Sequence, residues 1–227
     1  MSWVTEAAAV FVKEWVSEWR TRVSLSSVGL FAACSLTLIA LALRGGAAPG
    51  REAAAALLWI VIFFTAATGL GRSFVHEEER GTALALRLSA RATAVWAGKY
   101  VANATVLTLL TAIASPMLVA MLGIRVVNVP LFFFVLLLGV LALAAVMTLT
   151  AALVAQATAR SGLLAALSFP VLAPVLLAGV HGVEAAMGVG NLSGSIEPGL
   201  GDLQVLGSYV VVAVTASLML FDFVWND

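Results

Sequence analysis

The chain has 227 residues, of which 62% are hydrophobic and only 11% are charged, and its mean hydropathy is +1.08. Soluble domains carry about one quarter charged residues, so this composition excludes an ordinary soluble protein. It predicts an all-α polytopic membrane protein built as a single transmembrane domain over 1–227. The twelve basic and twelve acidic residues cancel, which gives no indication of a nucleic-acid partner. A single cysteine, Cys34, excludes an internal disulfide and a cysteine-based metal cluster.

The first twenty residues have the pattern of an amphipathic helix over 3–20. Large and small apolar residues recur at every fourth position: Trp3, Ala7, Phe11, Trp15 and Trp19. Charged residues occupy the other faces, and such a helix is typical of the membrane–water interface. The alternative is a leader helix that only anchors the chain.

Six apolar runs predict six transmembrane helices. Each has about twenty residues, enough to cross a hydrocarbon core of about 30 Å. The predicted spans are about 24–43, 53–71, 100–122, 129–154, 161–180 and 203–224. Pro116 lies in the third span, and Pro170 and Pro174 lie in the fifth. Because proline removes a backbone donor, these residues are candidates for kinks, or for a bend that faces a cavity; harmless kinking is the alternative.

The longest polar stretch, 72–99, lies between the second and third spans; we call it the interspan segment. It contains three consecutive glutamates, 77–79, and five of the twelve basic residues. Charge this dense is excluded from hydrocarbon, so the segment is predicted to be solvated or interfacial. Nine basic residues lie on the side of the N-terminus and three on the other. This bias predicts that both termini and the interspan segment are cytoplasmic.

Few residues offer chemistry of their own. His181 and Glu184, at the start of a predicted external loop over 181–202, are a candidate ligand pair, although no third ligand accompanies them and a solvated loop histidine is the alternative. The predicted apolar cores contain no Asp, Glu, Lys, Arg or His, which argues against ion-coupled transporters and intramembrane proteases. The sequence has no Walker motif to hold nucleotide phosphates.

Two pieces of the sequence carry a family resemblance. Glu79-Arg-Gly-Thr82, followed by Gly98-Lys99 at the start of a span, resembles the cytoplasmic signature of six-span exporter permeases of the ABC-2 type. Within that class the chain resembles the CcmB family over about 56–180. The matching stretches are 56–61, 72–82 with 84–86, 97–99, 115–123, 159–164, 169–170 and 174–176. The chain departs from the family in having Arg80-Gly81-Thr82 at an Asp-Gly-Ser/Thr-type turn, and Leu88-Ser-Ala-Arg91 where a proline-containing stretch is usual.

The resemblance implies a non-catalytic permease subunit of the haem exporter of cytochrome c maturation, in the bacterial inner membrane. It implies a separate cytoplasmic ATPase subunit, CcmA-like, with CcmC-like and CcmD-like membrane partners and a CcmE-like haem chaperone. Haem is implied as cargo and not as a firmly bound cofactor. With no histidine in the predicted spans, axial ligation of haem iron is expected from a partner.

The resemblance also implies that the interspan segment docks onto the ATPase subunit. We expect Phe74 and Val75 to be exposed apolar anchors, Gly81 to permit a backbone turn, and the glutamates to point into the cytoplasm. The predicted coupling residues are Phe74, Val75, Glu77, Glu78, Glu79, Arg80, Gly81 and Thr82. The alternative for this stretch is a solvated charged loop.

Two other functions stay open on sequence alone. One is an ABC-2-type exporter permease for another cargo, such as a lipid, a polysaccharide or a drug. The other is a structural membrane scaffold that only anchors partners. A neighbouring ATPase gene would separate both transporters from the scaffold, and a neighbouring haem-chaperone gene would identify haem as the cargo.

Overall fold

The computed structural model describes residues 2–21, 23–43, 49–70, 74, 77, 81, 86, 88–155, 163–188 and 199–226, with only the backbone of residues 21, 23–25, 27, 163 and 226. Over these ranges the protein is helical. The helices are α1 Trp3–Thr21, α2 Val23–Ala42, α3 Arg51–Leu70, α4 Ala92–Leu122, α5 Val129–Ala155, α6 Leu163–Met187 and α7 Leu200–Asn226. The predicted all-α class is confirmed.

Five of the described helices, α3 to α7, are long and apolar enough to cross a membrane. In α2 the apolar part is shorter, Val28–Ala42. The prediction of a multi-pass membrane protein is therefore confirmed. The sixth span, which rests on α2, stays a prediction.

The boundary predicted between the interspan segment and the third span, between residues 99 and 100, is not the start of a helix. Residues 92–122 form one helix, α4, of 31 residues, about 46 Å long at 1.5 Å per residue. That length exceeds a hydrocarbon core of about 30 Å. Arg91 therefore precedes the first residue of α4, whereas Lys99 lies inside the helix and does not mark its beginning.

The predicted external loop over 181–202 is also too long. Helix α6 continues to Met187 and α7 already begins at Leu200. Gly182 lies inside α6, where a Cβ would come within 2.7 Å of Val135 on α5. Here glycine allows close approach of two helices, as small residues commonly do in membrane proteins.

Helix α5 lies at the centre of the bundle and packs against α3, α4, α6 and α7. Its run of small and medium residues from 142 to 148 is buried throughout. Trp59 of α3, also buried, lies against Gly139 of α5 and Gly179 of α6. A Cβ at either glycine would overlap the indole ring, so this junction of three helices depends on the absence of side chains opposite Trp59.

Hydrogen bonds between side chains tie neighbouring helices inside the bundle. The Asn103 amide of α4 donates to the Thr148 hydroxyl of α5 at 2.9 Å. The hydroxyls of Thr150 on α5 and Ser168 on α6 lie 2.9 Å apart. Both pairs are buried, where an unpaired polar group is costly. They therefore fix the rotation of α4 and α6 about α5.

The three prolines within spans lie on outward faces. Pro116 is in α4, Pro170 and Pro174 are in α6, and all three are exposed. Their rings face the surroundings of the bundle and not its interior. Their role in kinking the helices stays a prediction.

Candidate functional site

Four charged side chains from three parts of the chain meet at one end of the bundle; we call them the charge cluster. Lys13 and Glu14 come from α1, Glu77 from the interspan segment and Lys99 from α4. The Lys99 ammonium lies 2.7 Å from the Glu14 carboxylate and 3.3 Å from that of Glu77. Lys13 contacts both carboxylates too, at 3.4 Å for Glu14. Each cation therefore contacts both anions, and the four formal charges cancel.

Burial makes this pairing obligatory. The Lys99 side chain is 0% exposed and that of Glu77 is 8% exposed, whereas Lys13 is 45% exposed. A buried charge without a partner is strongly unfavourable. Lys99 is thus tolerated inside the protein because Glu14 and Glu77 approach it from two directions.

The carboxyl of Glu77 responds to the same environment. Burial by itself raises the pKa of Glu77, but the positive charges of Lys99 and Lys13, with the hydrogen bonds that they donate, outweigh burial and lower it. Glu77 is therefore ionised at neutral pH, as its role as a counter-ion requires.

An aromatic group adjoins the charge cluster. The Lys99 ammonium lies 4.7 Å from the centre of the Phe74 ring, a cation–π contact. The same ring lies 5.7 Å from that of Phe221 and 6.0 Å from that of Trp225, both on α7. Phe74 is 3% exposed. It thus fills the space between Lys99 of α4 and the two aromatic residues of α7.

Helix α1 is held on the first turns of α4 by contacts outside the charge cluster. The Trp3 indole donates to the Thr93 hydroxyl at 3.1 Å, and a Glu6 carboxylate oxygen accepts from the main-chain N–H of Arg91 at 3.2 Å. At Gly98 the helices are so close that a Cβ would lie 2.7 Å from a main-chain oxygen of α1. These contacts place Glu14 beside Lys99.

The model of one protein family, described as CcmB protein, matches residues 5–222. The chain belongs to the CcmB family. The match begins inside α1, ends inside α7 and includes the whole charge cluster. No curated protein sequence matches the chain significantly.

CcmB-family members are permease subunits of the ABC haem exporter that serves cytochrome c maturation, and they are not its catalytic subunit. The resemblance stated from the sequence is thereby confirmed. Membership brings an ATPase partner and other Ccm components, and it agrees with the multi-pass helical bundle.

In this CcmB-family chain, three expectations about the interspan segment are wrong. Phe74 is not an exposed anchor, because the rings of α7 and Lys99 enclose it. Glu77 does not point into the cytoplasm, because its carboxylate contacts Lys13 and Lys99 in the charge cluster. Lys99, counted among solvated basic residues, is buried. Gly81 has φ +66°, a left-handed conformation that favours glycine, so the predicted turn is confirmed.

The other predicted coupling residues lie outside the described part of the chain. They are Val75, Glu78, Glu79, Arg80 and Thr82.

His181 and Glu184 lie inside α6 and not in a loop. His181 is exposed and Glu184 is partly buried. Helix α6 therefore continues past 180, where the fifth span was predicted to end. Among the described residues, no group of three His, Cys, Asp or Glu side chains is arranged to hold a metal ion. The pair stays a candidate ligand set.

Acidification is expected to destabilise this CcmB-family protein through Glu77. Because the folded state lowers the pKa of Glu77, its contribution is present above the pKa of the unfolded chain, about 4.3, and is lost as pH falls through the folded value. Glu77→Gln removes the titrating group. Between pH 6 and 3, the midpoint temperature of thermal unfolding in detergent should therefore fall less steeply with pH in Glu77→Gln than in the wild type. Parallel dependences of this temperature on pH would contradict the expectation.

Proposed function

We propose that the chain is the transmembrane permease subunit of an ATP-driven complex in the bacterial inner membrane that handles haem for c-type cytochrome maturation. The observation that carries this proposal is the family match over 5–222. ATP hydrolysis is assigned to a CcmA-like subunit. CcmC-like and CcmD-like membrane proteins and a CcmE-like haem chaperone complete the assembly. Haem is the cargo, exported or released on its chaperone, and its axial ligands come from a partner.

The charge cluster supports a coupling role for the interspan segment. A segment that transmits force from an ATPase must be attached to the helices that it moves. Phe74 and Glu77 provide that attachment to α4 and α7 through Lys99, Phe221 and Trp225. Since these two residues face inward, we assign direct contact with the ATPase subunit to the charged residues around them, Glu78, Glu79 and Arg80.

The distribution of basic residues supports the orientation. We place the charge cluster and both termini on the cytoplasmic side, as the ratio of nine to three requires. On α1, Val4, Val12, Val16 and Trp19 are exposed, whereas Val10 is buried against the bundle. An exposed apolar stripe on a helix attached to the end of a membrane bundle suits the bilayer interface.

The assignment of ATP hydrolysis to a separate subunit can be tested with purified protein. The isolated chain should show no ATP hydrolysis above background, since it lacks a phosphate-binding motif. Co-expressed with a CcmA-like ATPase subunit from the same organism, the chain should co-purify with that subunit, and the pair should hydrolyse ATP.

Three results would contradict the assignment. Robust turnover by the isolated chain would contradict a non-catalytic permease. Failure of any ATPase subunit to co-purify would favour the alternative of a structural scaffold. If the complex hydrolyses ATP but its loss leaves the amount of c-type cytochromes unchanged, the cargo is another compound, such as a lipid, a polysaccharide or a drug.

A further inference from the structure

The two carboxylates that neutralise Lys99 are held in different ways. Glu14 belongs to α1, which several contacts away from the charge cluster fix on α4: Trp3 with Thr93, Glu6 with the Arg91 main chain, and the close approach at Gly98. Glu77 belongs to the interspan segment. The charge cluster therefore has one anion, Glu14, that α1 holds in place, and a second, Glu77, whose position depends on the interspan segment.

The contacts of Phe74 and Glu77 that the structure describes are made by side chains. Glu77 contacts Lys13 and Lys99, and Phe74 contacts Lys99 and the rings of Phe221 and Trp225. Side-chain contacts of this kind can be made and broken without disturbing the hydrogen bonds of a helix. Because Phe74 lies between α4 and α7, its presence fastens those two helix ends to each other.

Electrostatics permits Glu77 to leave. With Glu77 seated, two cations face two anions and the net charge is zero. With Glu77 withdrawn, Lys99 keeps the closer carboxylate, Glu14 at 2.7 Å, so that no buried cation is left unpaired. A simple buried pair has no such second partner, and breaking it is strongly unfavourable. Glu14 thus makes reversible release of Glu77 feasible.

We infer that Phe74 and Glu77 form a latch that fastens α4 to α7 at the cytoplasmic end of the bundle and opens during the ATPase cycle. This inference rests on the proposed function, since the ATPase subunit supplies the force that opens the latch. When the latch is closed, Phe74 joins Lys99 to Phe221 and Trp225. When it opens, α4 and α7 lose this connection at their ends, although they stay packed against each other elsewhere, and α1 stays on α4 with Glu14 opposite Lys99.

The latch can be tested by cysteine accessibility in the purified complex with its ATPase subunit. In a Cys34→Ser background, Phe74→Cys is labelled with a water-soluble maleimide, first without nucleotide and then with ATP and vanadate. We expect slow labelling without nucleotide, because position 74 is buried, and at least tenfold faster labelling in the trapped state. Leu88→Cys is the control, because Leu88 is 82% exposed and should label fast in both states.

Phe221→Cys provides a second probe, in case Phe74→Cys fails to fold. It lies on α7, on the other side of the same contact, and it is buried. The latch predicts the same acceleration there. Labelling that stays slow at both positions, in a complex that retains its ATPase subunit and hydrolyses ATP, would overturn the latch and leave the proposed function intact. Loss of the ATPase subunit from the Cys34→Ser complex would instead contradict the proposed function and, with it, the latch.

Discussion

Lys99→Met should lower the free energy of unfolding by about 3 kcal/mol, the scale of removing one partner from a buried ion pair. Methionine fills a similar volume, so loss of packing contributes little. The cost arises because Glu77 stays buried while its remaining cation, Lys13, is half-exposed. The cation–π contact with Phe74 is lost as well.

Lys13→Met is the matched control. It makes the same chemical change in the same cluster, but at a side chain that is 45% exposed. Exposed ion pairs contribute about 0–1 kcal/mol, so this variant should unfold close to the wild type. The measurement is reversible unfolding in mixed detergent micelles, followed by circular dichroism. Equal losses in the two variants would show that burial of Lys99 has no energetic consequence.

Gly139→Ala is expected to destabilise the bundle by about 1–3 kcal/mol, the usual cost of inserting a methyl group into a filled core. The new Cβ would overlap the Trp59 indole, which Gly179 confines on the side of α6. The backbones of α3 and α5 must then separate, or the ring must leave its position. Unfolding in mixed micelles measures the loss.

Gly207→Ala is the control for this prediction. Gly207 is also inside a helix, and a Cβ there would meet nothing within 4 Å. Alanine should therefore be neutral or stabilising by up to about 1 kcal/mol, as its helix propensity predicts. Trp59→Phe, which replaces the indole by a smaller ring, should recover part of the stability of Gly139→Ala. If Gly139→Ala is as stable as Gly207→Ala, Trp59 does not fix the spacing of these helices.

The architecture could be predicted from the sequence because membrane burial leaves a local signal. Apolar runs long enough to cross a bilayer place α3 to α7 correctly in order. Errors arise where charge was taken to bound a helix, as at Lys99, or where a loop was predicted to begin inside a helix, as at His181. Charge marks the limit of the apolar layer, and α4 passes through that limit without a break.

The candidate site could be predicted only in part. The interspan segment is distinguished by its charge and by the residues that carry the family resemblance, Gly98 and Lys99 among them. The inward orientation of Phe74 and Glu77 could not be predicted, because it depends on contacts between distant parts of the chain. Glu14 and Lys99 are 85 positions apart, and no local pattern pairs them. Once they meet, Gly98 has a physical explanation as the point where α1 approaches α4.

The proposed function is tested most directly by the amount of covalently bound haem in c-type cytochromes of cells that lack this gene. Haem staining of membrane proteins after denaturing electrophoresis reports it, with b-type haem spectra as a control for haem synthesis. If the proposed function holds, deletion abolishes the stained c-type bands and leaves b-type haem unchanged. The wild-type gene then restores the bands. C-type cytochromes at wild-type amounts in the deletion strain would contradict a function in haem handling for cytochrome c maturation.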